Sequence, residues 1–210
     1  MSIKTKINNI KEEDYFKKAN LHIHSNLSDG KIDFDELIKQ AHKLGLTHIS
    51  ITDHNTIKGY YSSKFKDDEI LIKGVEFDCF MNFCPIHILG YGIDINNKEL
   101  NELCAKDEKH SKEDITRIFY SRNPKKTIDA IHCAGGIAIL AHPCCYWTFN
   151  LDKFIKKLVD MGLDGVEVYY PYDRFRGVVK FHSRKKVFKI AEKYNLIKTG
   201  GLDSHGNLIE

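Results

Sequence analysis

The sequence predicts a single α/β domain in which strands alternate with helices as parallel βαβ units. Three observations predict it. Short apolar runs rich in β-formers recur along the chain, separated by amphipathic stretches of helical period. The helical stretches carry start and stop signals, so the runs between them read as separate strands. Such units build either a doubly wound sheet or a barrel. Polar residues able to hold metal stand at the C-terminal end of nearly every strand, and this favours the barrel, whose functional groups converge at one mouth.

Strands are predicted at 19–24, 48–53, 70–77, 85–91, 136–141, 165–170 and 196–200. After the first, Asp33 suits the N-cap with Glu36 three residues on. Leu37, Ile38, Ala41 and Leu44 then form an apolar stripe, and Gly45 suits the residue past the helix end. A polar, helical excursion fills 97–122. The next helix opens at Asn123 with Pro124 at its first position and runs through Ile128, Ala130 and Ile131 to Gly135. Residues 150–162 and 178–194 form two more helices.

The 210 residues suit one domain spanning 1–210, with its core at about 20–206. A hydrophobic fraction of 42% with 29% charged residues is ordinary for a globular chain and excludes a disordered one. The start is polar and no apolar run approaches the ~20 residues of a membrane span, so a cytoplasmic location is the expectation. Six cysteines lack any CxxC pair or framework spacing and read as reduced thiols. A net charge of +3 is too small to imply nucleic-acid or membrane binding, and nothing points to a protein partner. The informative excess is the 11 histidines.

Strand one ends in Leu21-His22-Ile23-His24, where period-two alternation puts both imidazoles on one face, able to grip one ion. Ser28-Asp29-Gly30 follows in a tight turn. Thr52-Asp53-His54 ends strand two, Gly74-Val75-Glu76 strand three, and strand four carries His87. Strand five ends in Ala141-His142-Pro143, and Asp203-Ser204-His205-Gly206 follows strand seven. Each motif alone has an ordinary role as a core histidine, a cap or a turn. Their joint occurrence at six strand ends has none. Nine His, Asp and Glu ligands exceed the four to six that one ion takes, so two or three divalent ions are implied.

In this order, these motifs closely resemble the PHP (polymerase and histidinol phosphatase) superfamily, from about Asn20 to Gly206. The resemblance implies a distorted seven-stranded (βα) TIM-like barrel and a stand-alone metal-dependent phosphoesterase with a trinuclear centre. By position, His22, His24, Glu76 and Asp203 would hold one metal, and Glu76, His87 and His142 a second, with Glu76 bridging. Asp29, His54 and His205 would hold the third. Zn, Mn or Fe would suit these sites. Many relatives have histidine where this chain has Asp29, which implies a weaker third site or a harder metal. Family members often have Ser before the final Asp, where this chain has Leu202.

Two close metals sharing Glu76 would turn a bridging water into hydroxide at neutral pH, supported by Glu76, Asp203 and His205, and orient a phosphate for in-line attack. The expected substrate is a small phosphomonoester such as a nucleotide or histidinol phosphate. The alternatives are exonuclease or phosphodiesterase action on short oligonucleotides, and a non-catalytic metal-stabilised module. An amidohydrolase-type barrel also begins with His-x-His, but Glu76 and the Asp203/His205 pair suit the PHP pattern better. Long polynucleotide is disfavoured by the lack of a broad basic track. Arg174 and Arg176 after strand six are candidate phosphate ligands, with Arg122, Lys58 and His182 behind them. The short segment between His87 and His142 supplies little lid, implying an open site.

Overall fold

The computed structural model describes residues 2–15, 17–113, 121–171, 181–206 and 208. Among them run seven strands: β1 (Ala19–Ile23), β2 (His48–Ile51), β3 (Gly74–Met81), β4 (Cys84–Tyr91), β5 (Ile137–Leu140), β6 (Gly165–Tyr169) and β7 (Ile197–Gly200). The helices are α1 (Ile3–Asn8), α2 (Phe34–Lys43), α3 (Lys58–Ser62), α4 (Lys98–Leu103), α5 (Lys109–Lys112), α6 (Pro124–Cys133), α7 (Leu151–Asp160) and α8 (Arg184–Lys193).

The longer helices begin where the capping residues stand. Asp33 accepts from the backbone N–H groups of Asp35 and Glu36 to start α2, and Asn123 and Asn150 cap α6 and α7 in the same way. Their apolar stripes are buried: Phe34, Leu37, Ile38 and Ala41 on α2, Leu151, Phe154, Ile155 and Leu158 on α7. The last helix runs from 184, where Ser183 caps it through the N–H of Lys186, and the start expected at 178 lies outside the described residues. The excursion at 97–122 contains the short helices α4 and α5, and its residues 114–120 lie outside the described residues.

Two features depart from a uniformly parallel barrel. β3 and β4 form an antiparallel hairpin joined through Asn82 and Phe83, both at positive φ, which is the two-residue turn matched to strand twist. β4 also pairs antiparallel with β5, and only β1–β2, β5–β6 and β6–β7 are parallel. The ladders form a two-stranded sheet, β1-β2, and a five-stranded one, β3-β4-β5-β6-β7, rather than one closed ring. Single bridges connect them: Ile49 to Leu71 and His54 to Glu76 on one side, Ile23 to Ser204 on the other.

The third strand runs over Gly74–Met81, not 70–77. Residues 70–72 instead lie beside β2, where Ile49 N–H bonds Ile70 O and Ile72 N–H bonds Ile49 O. Glu76 is therefore inside its strand and not at the end. One apolar cluster, including Leu21, Ile23, Ile51, Val75, Phe77, Ile88 and Ile139, fills the interior. The six cysteines are all free. Among the described residues, no helix is long and apolar enough to cross a membrane.

Candidate metal centre

Alternation along β1 gives Leu21 and Ile23 to the apolar core and turns His22 and His24 toward the carboxylates. His22 Nε2 stands 3.1 Å from Glu76 Oε2 and 3.3 Å from Asp203 Oδ1, and His24 Nε2 stands 3.2 and 3.0 Å from the same oxygens. Ligand bonds of about 2.0–2.2 Å put tetrahedral neighbours roughly 3.3–3.6 Å apart and octahedral ones roughly 2.8–3.1 Å apart. The four atoms fit around an ion. Neither ring nitrogen of buried His24 makes a well-formed hydrogen bond, although carboxylate oxygens surround it. Lone pairs aimed at a common centre have this arrangement.

A second group shares Glu76, whose Oε1 is 3.0 Å from His87 Nδ1 and 3.5 Å from His142 Nε2. A third surrounds Asp29: its Oδ1 is 3.5 Å from His24 Nδ1, and its Oδ2 is 3.6 Å from His54 Nε2 and 3.4 Å from His205 Nε2. His24 thus faces the first group with one nitrogen and the third with the other. A fourth, His54 with Asp78 and His87, flanks these.

Local structure holds the groups in place. The Asp53 carboxylate accepts from Ser25 N–H, Ser25 Oγ and Ser28 Oγ, each at 2.7 Å, and so pins the turn that presents Asp29. Gly30 and Gly201 pass against β1 so closely that an added Cβ would come within 2.1 Å of His24 O and 2.4 Å of His22 Cβ. Any side chain at either position would displace the His-x-His strand. His142 and Asp203 sit at φ 26° and 49°, unusual for non-glycine residues and typical of functional sites.

The charges are mutually supporting. Burial pulls the His24 pKa down, but the Asp203 and Glu76 carboxylates push it up to about 10. His22 is likewise raised well above the ordinary range, by Glu76, Asp203 and Glu167 against burial. Burial would raise Glu76 and Asp203, yet the surrounding imidazoles hold both well below the usual carboxylate range. Asp29 is lowered against the pull of burial by His205, His54 and His24. A compact set of buried carboxylates and imidazoles is the donor chemistry that divalent ions select.

The structure brings His22, His24, Asp29, His54, Glu76, His87, His142, Asp203 and His205 into these contiguous groups. Arg122 is placed otherwise than as a free phosphate ligand. Its Nε donates to Leu103 O at 2.6 Å, its guanidinium lies 5.5 Å from the Phe77 ring, and its charge faces Asp78. Arg174 and Arg176 lie outside the described residues. Lys58 is exposed at the start of α3, and His182 N–H bonds Cys144 O.

Sequence reasoning missed three residues. Asp78 Oδ1 lies 3.1 Å from His54 Nδ1 and 3.2 Å from His87 Nε2. Glu167, fully buried in β6, faces His22 Nδ1 at 3.1 Å and accepts from His142 N–H at 2.9 Å. Tyr170 donates its hydroxyl to Asp203 Oδ2 at 2.9 Å. Glu-Phe-Asp at 76–78 has the period that would have flagged Asp78, and Glu167 is a lone carboxylate within an apolar run.

Fold and site together are those of a metal-dependent hydrolase. The PHP domain family model matches residues 20–198, and the chain belongs to that family. It is accordingly a metal-dependent phosphoesterase, a hydrolase acting on ester bonds. It is similar to a phosphoribosyl 1,2-cyclic phosphate 1,2-diphosphodiesterase of Eggerthella lenta, 23% identical over 89% of this chain and 93% of that one. It also resembles a 5'-3' exoribonuclease of Haemophilus influenzae, 27% identical over 72% of this chain and 79% of the other. In fold it matches a Bifidobacterium adolescentis protein described as a metal-dependent phosphoesterase, at TM-score 0.73 and 21% identity over 90% and 88% of the two chains.

Proposed function

We propose that the protein hydrolyses phosphate esters on a cluster of two to three divalent ions (Zn, Mn or Fe), with small phosphomonoesters such as nucleotides as substrates. The observation that carries this is Glu76, which offers one oxygen to the His22, His24 and Asp203 group and the other to His87 and His142. A carboxylate so shared would hold two ions near one another, where both could act on one phosphate. Asp29, His54 and His205, with His24, form the third holding group. Ions held by these groups would supply Lewis acidity toward water and phosphoryl oxygens.

The chain's own residues do the rest. Glu167 orients the His22 imidazole and ties down the main chain of His142, and Tyr170 fixes the Asp203 carboxylate. His22, His24 and Glu76 are buried beneath, while His87 and His205 are the more exposed members, so substrate approaches from their side. The single bridges between the two sheets support reading the seven strands as a distorted barrel with this side as its mouth. A second reading, short oligonucleotides, is favoured by the likeness to the Haemophilus exoribonuclease.

Metal-reconstituted protein should release phosphate from at least one of a panel of nucleotides, histidinol phosphate and short oligonucleotides. A Glu76→Gln variant that folds normally should not. Absence of release from every metal form, or release that persists in the variant, would overturn the proposal.

A further inference from the structure

The segment after His142 lines an aromatic and basic groove that the metal chemistry does not use. Its volume is about 360 Å³, and Trp147, Phe149, Phe154, Lys153 and Lys157 line it, with Cys84 at its floor. Trp147 is 76% exposed and Phe149 fully so, which is unusual for large apolar side chains. Trp147 stacks beside Phe181 at 6.4 Å between centroids, with the planes 24° apart. Lys153 and Lys157 project from successive turns of α7, exposed and with no carboxylate partner among the described residues.

The groove adjoins the metal centre. His142, two residues past the end of β5, leads into the segment that carries Trp147 and Phe149, and Asn82 and Cys84 bring the end of the β3–β4 hairpin to the same groove. One ring separates them: Tyr146 lies 6.3 Å from Phe154 on the groove side and 5.7 Å from His142 on the other. The Tyr146 hydroxyl in turn accepts from His87 N–H. Exposed aromatic faces interleaved with unpaired lysines are what single-stranded nucleic acid binds, bases stacking on the rings and phosphates meeting the cations.

We propose that this groove seats the bases of a short single-stranded oligonucleotide whose terminal phosphate lies at the metal centre, with Trp147 as the stacking platform. The inference rests on the phosphoesterase reading for what happens to that phosphate, and on the groove alone for binding. The lack of a broad basic track limits the strand to a few nucleotides.

The chain has one tryptophan, so its fluorescence reports on this groove alone. Metal-free protein, which cannot turn over, is titrated with tetra-adenylate and, separately, with base-free ribose 5-phosphate. The expected result is saturable quenching by tetra-adenylate that weakens with salt, none by ribose 5-phosphate, and a midpoint raised about tenfold by Lys153→Ala with Lys157→Ala. In the metal-loaded protein, Trp147→Ala should raise KM for tetra-adenylate relative to ribose 5-phosphate about tenfold. Quenching that stays linear, or a fluorescence shift that follows protein concentration because the face joins two copies of the chain, would overturn the proposal. Saturable quenching without hydrolysis would uphold the groove and overturn the phosphoesterase reading instead.

Discussion

Asp78 and His87 face each other across the β3–β4 hairpin, with Oδ1 3.2 Å from Nε2, and the same oxygen stands 3.1 Å from Nδ1 of His54. One carboxylate therefore contacts two imidazoles that belong to different ligand groups. The Asn55 side-chain amide donates to its other oxygen and fixes it. Carboxylates behind metal-binding histidines set ring orientation and basicity, typically worth about 10–100-fold in affinity. Asp78→Ala should weaken the His87 and the His54 groups together, by about that factor, while the His22, His24 and Asp203 group keeps its ion. Metal content after graded chelator competition tests this; loss of one ion class alone would refute a shared role.

How far the sequence could be read follows from the same hairpin. Period-two alternation made the His22 and His24 pair legible, because a strand offers no other way to place residues two apart. The capping residues of α2, α6 and α7 were equally plain, since Asp33, Asn123 and Asn150 satisfy local donors. The sequence hides Asp78 because Ile70, Leu71 and Ile72 have the pattern of a strand's beginning, which places the strand's end at 77. Those residues pair beside β2 through long-range bonds that no local pattern encodes. The antiparallel hairpin was hidden for a related reason: Asn82 and Phe83 adopt positive φ without a glycine to announce it. Charge alone makes Arg122 a candidate phosphate ligand, whereas Leu103 O, the Phe77 ring and Asp78 determine where it goes.

Glu167 has no solvent to fall back on. Glu167→Ala would leave the His142 N–H and a His22 ring nitrogen without their partner, at about 1–3 kcal/mol for each unsatisfied group. A loss of roughly 2–6 kcal/mol in unfolding free energy is expected for the metal-free protein, read from denaturant melts. Glu167→Gln keeps one acceptor oxygen and should lose about half as much. A loss under about 1 kcal/mol in the alanine variant would show that His22 and His142 are held by other contacts.

The thiols should differ sharply in reactivity. Burial pushes Cys79 up to about 12 and Cys104 up to about 11, whereas Cys133 is exposed. Because the thiolate is the nucleophile, alkylation of the native protein at pH 8 should mark Cys133 and spare Cys79 until the chain unfolds. Peptide mass mapping at increasing denaturant gives the order, and equal labelling rates at the two positions would contradict the burial of β3.

The pH dependence of metal binding follows from the direction of each shift at the centre. In the ion-free protein the raised histidines, His22 and His24, contribute stability fully below their unfolded pKa of about 6.5, and lose it as pH rises, for His24 through about 10. The lowered carboxylates, Glu76 and Asp203, contribute above their unfolded values near 4 and lose it as pH falls through their folded ones. Imidazolium therefore occupies the centre across neutral pH when no ion does. An ion requires the neutral rings, so binding must expel those protons, and affinity rises with pH by about tenfold per unit for each proton released. The increase in melting temperature on adding Mn or Zn should grow from pH 6 to pH 9, and calorimetry in two buffers of different ionisation enthalpy should show proton release. A metal-induced increase that is flat over that range would mean that the histidines are already neutral before the ion arrives, and that the carboxylates facing His22 and His24 do not hold protons there.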